Sequence, residues 1–245
     1  IKGGGVQMKR IFLFLLFLLL GFSWSALAKM SKEEFLKKSP HLMKLIETSG
    51  GLASFEGFKD IGPLYEVIIK TVDGKKIAYI TKDFKYLIIG SLYDKDIKNI
   101  TQEKVRELNK IDITKLPLNE ALIYKAGNGT KKIIVFVDPF CPHCKNLINY
   151  LKTQNDYTLY MYLFPLNEKS KEVALKIFCS NEPIIDAYLN ATKLENPCED
   201  ADKKLEAHLN VAKSLNVRAT PFVILGDGLN FYGMNQQMLE EFFRK

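Results

Sequence analysis

The stretch that decides the fold runs Ile133-Ile134-Val135-Phe136-Val137-Asp138-Pro139-Phe140-Cys141-Pro142-His143-Cys144. Its first five residues are apolar without alternation, which predicts a central strand covered on both faces. A helical pattern follows over Cys144–Leu151, so Cys141-Pro142-His143-Cys144 falls where a buried strand meets a helix. The unpaired N–H groups and dipole of a helix N-terminus favour an anion, and so a Cys141 thiolate. Pro142 suits the first helical turn, where its missing N–H costs nothing. The His143 imidazole can add positive charge or a hydrogen bond near the sulfur. Two intervening residues let Cys144 close a small ring with Cys141, strained enough to stay exchangeable. The four residues therefore read as a redox pair. Cys141 attacks a substrate disulfide, or is attacked when oxidised, and Cys144 resolves the mixed disulfide.

A zinc half-site would want a second close Cys or His pair, and 18 residues separate Cys179 from Cys198. No metal and no cofactor is expected. Pairing Cys179 with Cys198 closes a loop of about 20 residues, for roughly 3 kcal/mol on the chain-entropy account. Cys179 follows the apolar positions Ala174, Leu175 and Phe178, which predicts a buried, inert structural bond. Thr220-Pro221 precedes the apolar run Phe222–Leu225, where a Pro marks a strand start. His41 and His208 belong to no motif and read as surface or cap residues.

Around the decisive stretch, strands are predicted over Leu122–Lys125, Leu159–Phe164 and Phe222–Leu225, with a short one near Phe231. Helices are predicted over Lys169–Phe178, Ile184–Leu189, Ala201–Leu215 and Gln236–Phe243. Upstream, Ser31-Lys32-Glu33-Glu34 is a capping box opening one short helix with Phe35, Leu36, Leu42, Leu45 and Ile46 as its apolar positions. Strands over Leu64–Thr71, Lys75–Thr81 and Tyr86–Ile89 form a meander turned at Asp73-Gly74. That unit has a thin core, which makes association with a second chain physically reasonable. Ile100, Val105, Leu108 and Ile111 then recur at helical spacing behind a capping Asn99, and Leu116-Pro117 ends the run. The expected domains are therefore 29–98, a helical linker at 99–117, and 118–245.

At the N-terminus, Lys9 and Arg10 precede the apolar run Ile11–Leu20 and the small-residue site Ala26-Leu27-Ala28. This is the pattern of a secretory signal, expected over 1–28 with an upstream extension before Met8 and cleavage near Ala28. An uncleaved anchor is the alternative. Removing Lys2, Lys9 and Arg10, and no acidic residue, lowers the net charge from +7 to +4. The remaining lysines alternate with acids, so a nucleic-acid partner loses its support. A composition 47% hydrophobic and 26% charged excludes wholesale disorder. Export would place the cysteines where disulfides persist, in the periplasm.

The mature chain resembles the DsbC/DsbG family of periplasmic thiol:disulfide interchange proteins. The resemblance rests on Tyr86-Leu87-Ile88-Ile89-Gly90, Leu92-Tyr93-Asp94, Tyr124-Lys125-Ala126 and Val135-Phe136-Val137-Asp138. Phe164-Pro165, the Cys179/Cys198 pair and Thr220-Pro221 extend it. It implies a cystatin-like α+β dimerisation domain, a linker helix, and an α/β thioredoxin-like domain with a helical insertion. It also implies a homodimer whose V-shaped cleft holds misfolded or disulfide-bonded exported proteins, with a DsbD-like membrane reductant as redox partner. Carried over by residue, Cys141 is the attacking thiol and Cys144 the resolving one. Pro221 is cis and faces the pair, with Thr220 ahead of it offering backbone to an extended substrate, and Cys179–Cys198 is inert. Relatives of the thioredoxin and DsbA type have an acid six positions before the first cysteine, and here Val135 stands there, as in the DsbC group. The Pro142-His143 dipeptide is instead typical of DsbA oxidases and tends to favour the thiolate. The expected activity is disulfide isomerase or reductase. The alternatives are a dimeric dithiol oxidase served by a DsbB-like oxidant and a non-enzymatic holdase chaperone.

Overall fold

The computed structural model describes residues 30–194 and 197–244, so the signal segment expected over 1–28 lies outside the described residues. The chain divides into two compact units, one running to Val72 with Ala78–Ile88, the other Asp73–Ile77 with Ile89–Lys245.

In the first unit, helix α1 (Lys32–Lys38) starts where Ser31 Oγ accepts the Glu34 N–H at 3.1 Å. The single helix expected here is two. Ser39 leaves helical geometry because Pro40 follows it, and Pro40 opens α2 (Pro40–Thr48). The sheet order is β1 (Ala53–Asp60), β2 (Leu64–Thr71), β3 (Gly74–Thr81), β4 (Leu87–Ile88). Strand β1 is absent from the sequence reading, and its register explains why. A bulge between Phe55 and Gly57 adds a residue to the strand. Phe55 and Phe58, three apart, then share one face instead of opposing ones. Both stack on buried Phe35, Phe58 at 4.0 Å between centroids. Phe35, Leu42, Val67, Ile69, Ala78 and Ile80 complete this core.

In the second unit, α3 (Ile100–Leu108) opens at Asn99, whose side chain accepts the Gln102 N–H at 2.8 Å. Two short helical turns, Ile113–Lys115 and Leu118–Glu120, lead into a five-stranded sheet. Its strands are β5 (Leu122–Ala126), β6 (Lys131–Val137), β7 (Tyr157–Leu163), β8 (Phe222–Leu225) and β9 (Asn230–Tyr232). They lie in the order β5-β7-β6-β8-β9, and only the β6–β7 pair is parallel. The parallel pair needs a crossover, supplied by α4 (Pro142–Lys152).

Residues 133–137 of β6 are all fully buried and alternate between two cores. Ile133, Val135 and Val137 face Cys144, Leu147, Ile148 and Leu151 of α4 and Met238 and Leu239 of α8 (Gln236–Arg244). Ile134 and Phe136 face Val211 and Ala212 of α7 (Ala201–Ser214), with Ile111, Ile113 and Leu116 packed at the margin. Burying one Leu- or Ile-sized side chain is worth about 1.5–3 kcal/mol. The four buried side chains of α4 therefore hold its N-terminus firmly at the end of β6. Between β7 and α7 stands a helical insertion, α5 (Glu168–Ile177) and α6 (Ile184–Leu189). Among the described residues no helix is long and apolar enough to cross a membrane.

Candidate redox site at the start of the crossover helix

Cys141 is the N-cap of α4, and Pro142 occupies its first position. The Cys141 sulfur accepts the Cys144 N–H at 3.4 Å, so an orphan amide of the first turn points at it. The Cys141 thiol in turn donates to the Thr220 carbonyl at 3.5 Å, across from the β8 entrance. The Thr220–Pro221 peptide bond is cis, and Pro221 is buried. Pro142 and His143 are exposed, whereas Cys141 is half-buried and Cys144 has no solvent access. Both thiols are free. Burial, and after it the hydrogen bond with Cys141, pushes the Cys144 thiol up to about 12. The Asp138 main chain and the Thr220 side chain act in the opposite direction. The pair is thus unequal: one sulfur meets solvent at a helix N-terminus, and the other is sealed beneath it as a thiol.

Two residues without a role in the sequence reading organise this turn. The Asp138 carboxylate, nearly fully buried, accepts the Phe140 N–H at 2.7 Å and the Leu166 N–H at 2.8 Å. Its carbonyl accepts the Cys141 N–H at 3.1 Å and the Tyr188 hydroxyl at 2.6 Å. The Asp138-Pro139 step was a local signal for an Asx turn. Tyr188 had no local signal, because it arrives from α6, 50 residues downstream.

Cys179 and Cys198 form a disulfide with 5.6 Å between their Cα atoms. The expectation of burial fails: Cys179 is half-buried and Cys198 exposed. Cys179 lies past the end of α5, beyond the apolar face that suggested burial. His208 corrects a second expectation. It is fully buried, with Nδ1 accepting the Leu163 N–H at 2.9 Å and Nε2 2.7 Å from the Glu120 carbonyl. Burial lowers its pKa to about 4. His41 is partly buried on α2. Among the described residues, no cluster of three or more His, Cys, Asp or Glu could hold a metal ion.

A sequence profile of the thioredoxin-like domain matches residues 118–244, just over half of the chain, and one of the disulfide bond isomerase protein N-terminal domain matches 58–102. This chain belongs to the thioredoxin-like domain family. It is 29% identical over 165 residues to a probable thiol:disulfide interchange protein DsbC of Bordetella avium, spanning 66% of this chain and 59% of that protein. It is 27% identical over 182 residues to the thiol:disulfide interchange protein DsbC of Escherichia coli K12, spanning 69% of this chain and 73% of that one. The match thus covers less than two thirds of the Bordetella relative's length. A crystal structure of a disulfide interchange protein from Neisseria gonorrhoeae is 22% identical, with TM-score 0.44, over 53% of this chain and 96% of that one. Helicobacter pylori DsbG is 18% identical, with TM-score 0.35, over 76% of this chain and all of that one. The chain accordingly combines a segment matching the disulfide bond isomerase N-terminal domain, over 58–102, with a thioredoxin-like domain over 118–244, in a mixed α/β architecture.

Proposed function

We propose that this chain is a periplasmic disulfide isomerase and reductase of the DsbC kind that works as a homodimer. The observation that carries the reading is the inequality of the two thiols. Cys141 stands at the α4 N-cap with the Cys144 N–H aimed at its sulfur, and Cys144 is sealed beneath it. A thiolate at Cys141 attacks one sulfur of a wrong substrate disulfide. A Cys141–substrate bond forms, the substrate S–S bond breaks, and the released substrate sulfur leaves as a thiolate and takes up a proton. That freed thiol can attack another disulfide of the same substrate, and a final attack on the mixed disulfide returns Cys141 unchanged, which is isomerisation. If rearrangement stalls, the Cys144 sulfur loses its proton and attacks Cys141. The Cys141–Cys144 bond then forms, and the substrate departs reduced with two electrons gained. A membrane reductant of the DsbD kind would return the pair to dithiols.

The assigned roles are Cys141 as nucleophile, Cys144 as resolving thiol, and Pro142 and His143 as neighbours that tune the Cys141 thiolate. Thr220 and Pro221 form the wall where an extended substrate docks, and Cys179–Cys198 is a structural staple. Support for the dimer comes from the family of residues 58–102 and from exposed Tyr86, Ile88 and Ile89 at the short edge strand β4. The domains read as 29–98 for dimerisation, 99–117 as linker and 118–245 for catalysis, behind a cleaved signal over 1–28.

One observation favours a second reading. The Pro142-His143 dipeptide suits a stronger oxidant, in which a Cys141–Cys144 disulfide is donated to substrates and a DsbB-like partner restores it. Trapping thiols in cells by rapid acid quench and alkylation separates the two. A mostly reduced pair supports the isomerase, and a mostly oxidised pair overturns it. Sedimentation should give the mass of two chains, and a one-chain mass would remove the dimer.

A further inference from the structure

Cys144 poses a chemical problem that the pair does not solve alone. The resolving attack needs its thiolate, yet burial disfavours that charge. No carboxylate is available from the strand below: the position six before Cys141 is Val135, fully buried and apolar. The Asp138 carboxylate is already held by the Phe140 and Leu166 N–H groups. The groups that face the Cys144 sulfur are Cys141, the Thr220 side chain, the Asp138 main chain and the Tyr188 phenol. Tyr188 is fully buried, and its hydroxyl donates to the Asp138 carbonyl at 2.6 Å. The same carbonyl receives the Cys141 N–H, so the phenol braces the turn that carries the nucleophile.

We propose that Tyr188 is a positioning residue for disulfide exchange: its hydroxyl holds the Asp138 carbonyl in the resting site and turns to the Cys144 sulfur as that sulfur becomes a thiolate. The assignment rests on reading Cys141 and Cys144 as the exchange pair. In the step it assists, Cys144 gives up its proton and its sulfur bonds to Cys141, while the bond from Cys141 to the substrate sulfur breaks. The substrate sulfur leaves with the electron pair and takes up a proton, and Tyr188 keeps its own proton throughout. Burial and the neighbouring sulfurs hold the phenol above the ordinary tyrosine range, so it remains a donor at every working pH. A hydrogen bond costs little while the phenol rests on a neutral carbonyl and strengthens on an anion, so the contact favours the charged species selectively.

The placement gives the helical insertion a use. Tyr188 sits on α6, inside the loop closed by Cys179–Cys198, and Lys152 of α4 donates to Asp186 of α6 at 2.6 Å. The structural disulfide and this ion pair keep the phenol docked under the redox pair.

The test uses full-length reduced protein and a peptide with a single disulfide. The mixed disulfide is quenched in acid and its lifetime followed by mass spectrometry, from about pH 6 to 9. Tyr188→Phe keeps the ring and removes the donor. It should lengthen the lifetime about tenfold, the scale of one charge-assisted hydrogen bond, and move the pH profile of resolution upward. Resolution within about twofold of wild type, with an unmoved pH profile, would overturn the assignment. Should Tyr188→Phe fold poorly, 3-fluorotyrosine at 188 supplies a stronger donor and should shorten the lifetime and lower the profile; an unchanged or opposite response overturns it equally. Wild-type protein that never forms a Cys141 mixed disulfide would instead refute the exchange reading, and Tyr188's role with it.

Discussion

Lowering the pH from 7 to 4 should cost this protein about 3 kcal/mol through one side chain, His208, since the gap between a free imidazole and this buried one spans that free energy. The ring lies fully buried between the edges of Tyr162 and Phe178, at 5.0 and 4.9 Å between centroids. Nδ1 accepts the Leu163 N–H, which leaves the proton on Nε2 to be donated to the Glu120 carbonyl. Protonating Nδ1 would destroy the first bond and put a charge in an apolar site, which is why burial lowers the pKa from 6.5 to about 4. The unfolded chain therefore binds a proton that the folded chain refuses. Stability from this residue is complete above the free imidazole pKa near 6.5, falls as pH drops towards 4, and levels off below. The assay is urea denaturation across that window for wild type and His208→Gln. The amide of Gln can accept from Leu163 and donate to Glu120 without titrating, so other acid-labile groups cancel in the difference. Wild type should lose about 3 kcal/mol more than His208→Gln between pH 7 and 4. Parallel loss in the two proteins would refute the buried neutral imidazole.

The other predictions concern the site and its frame. Asp138→Ala strips the Phe140 and Leu166 N–H groups of their acceptor and should destabilise by about 2–4 kcal/mol in chemical denaturation, with slower exchange at Cys141. Iodoacetamide at neutral pH should label half-exposed Cys141 well before buried Cys144, whose thiol is pushed up to about 12; peptide mapping that finds Cys144 first would contradict the geometry. Replacing Cys179 and Cys198 by Ala should lower stability by roughly 3 kcal/mol on the loop-entropy account, read from denaturation midpoints. Phe35→Ala removes the ring on which Phe55 and Phe58 stack and should cost about 3–5 kcal/mol within the first unit, monitored by hydrogen exchange of β1.

The elements legible in the sequence are those whose reasons are local. The unbroken Ile133–Val137 run has one comfortable place, the middle of a covered sheet, and five residues at zero exposure occupy it. Asn99 capping α3 and Ser31 capping α1 follow from a side chain reaching an amide three residues on. The Cys141–Cys144 spacing carries its chemistry in four consecutive residues. Pro40 was also local, and dividing α1 from α2 needed only the rule for the residue before a proline.

What the tertiary structure alone decided is what depends on partners distant in sequence. The bulge in β1 makes sense only once Phe35 is there to be covered by both Phe55 and Phe58. His208 shows no sign in its own helix of the Leu163 amide and Glu120 carbonyl that keep it neutral, because they lie 45 and 88 residues away. Tyr188 reaches the redox turn only after the insertion has folded onto α4. Amino-acid order determined which residues could do chemistry. Packing determined what surrounds them, because desolvation and hydrogen-bond satisfaction are set by whichever groups the fold brings within reach.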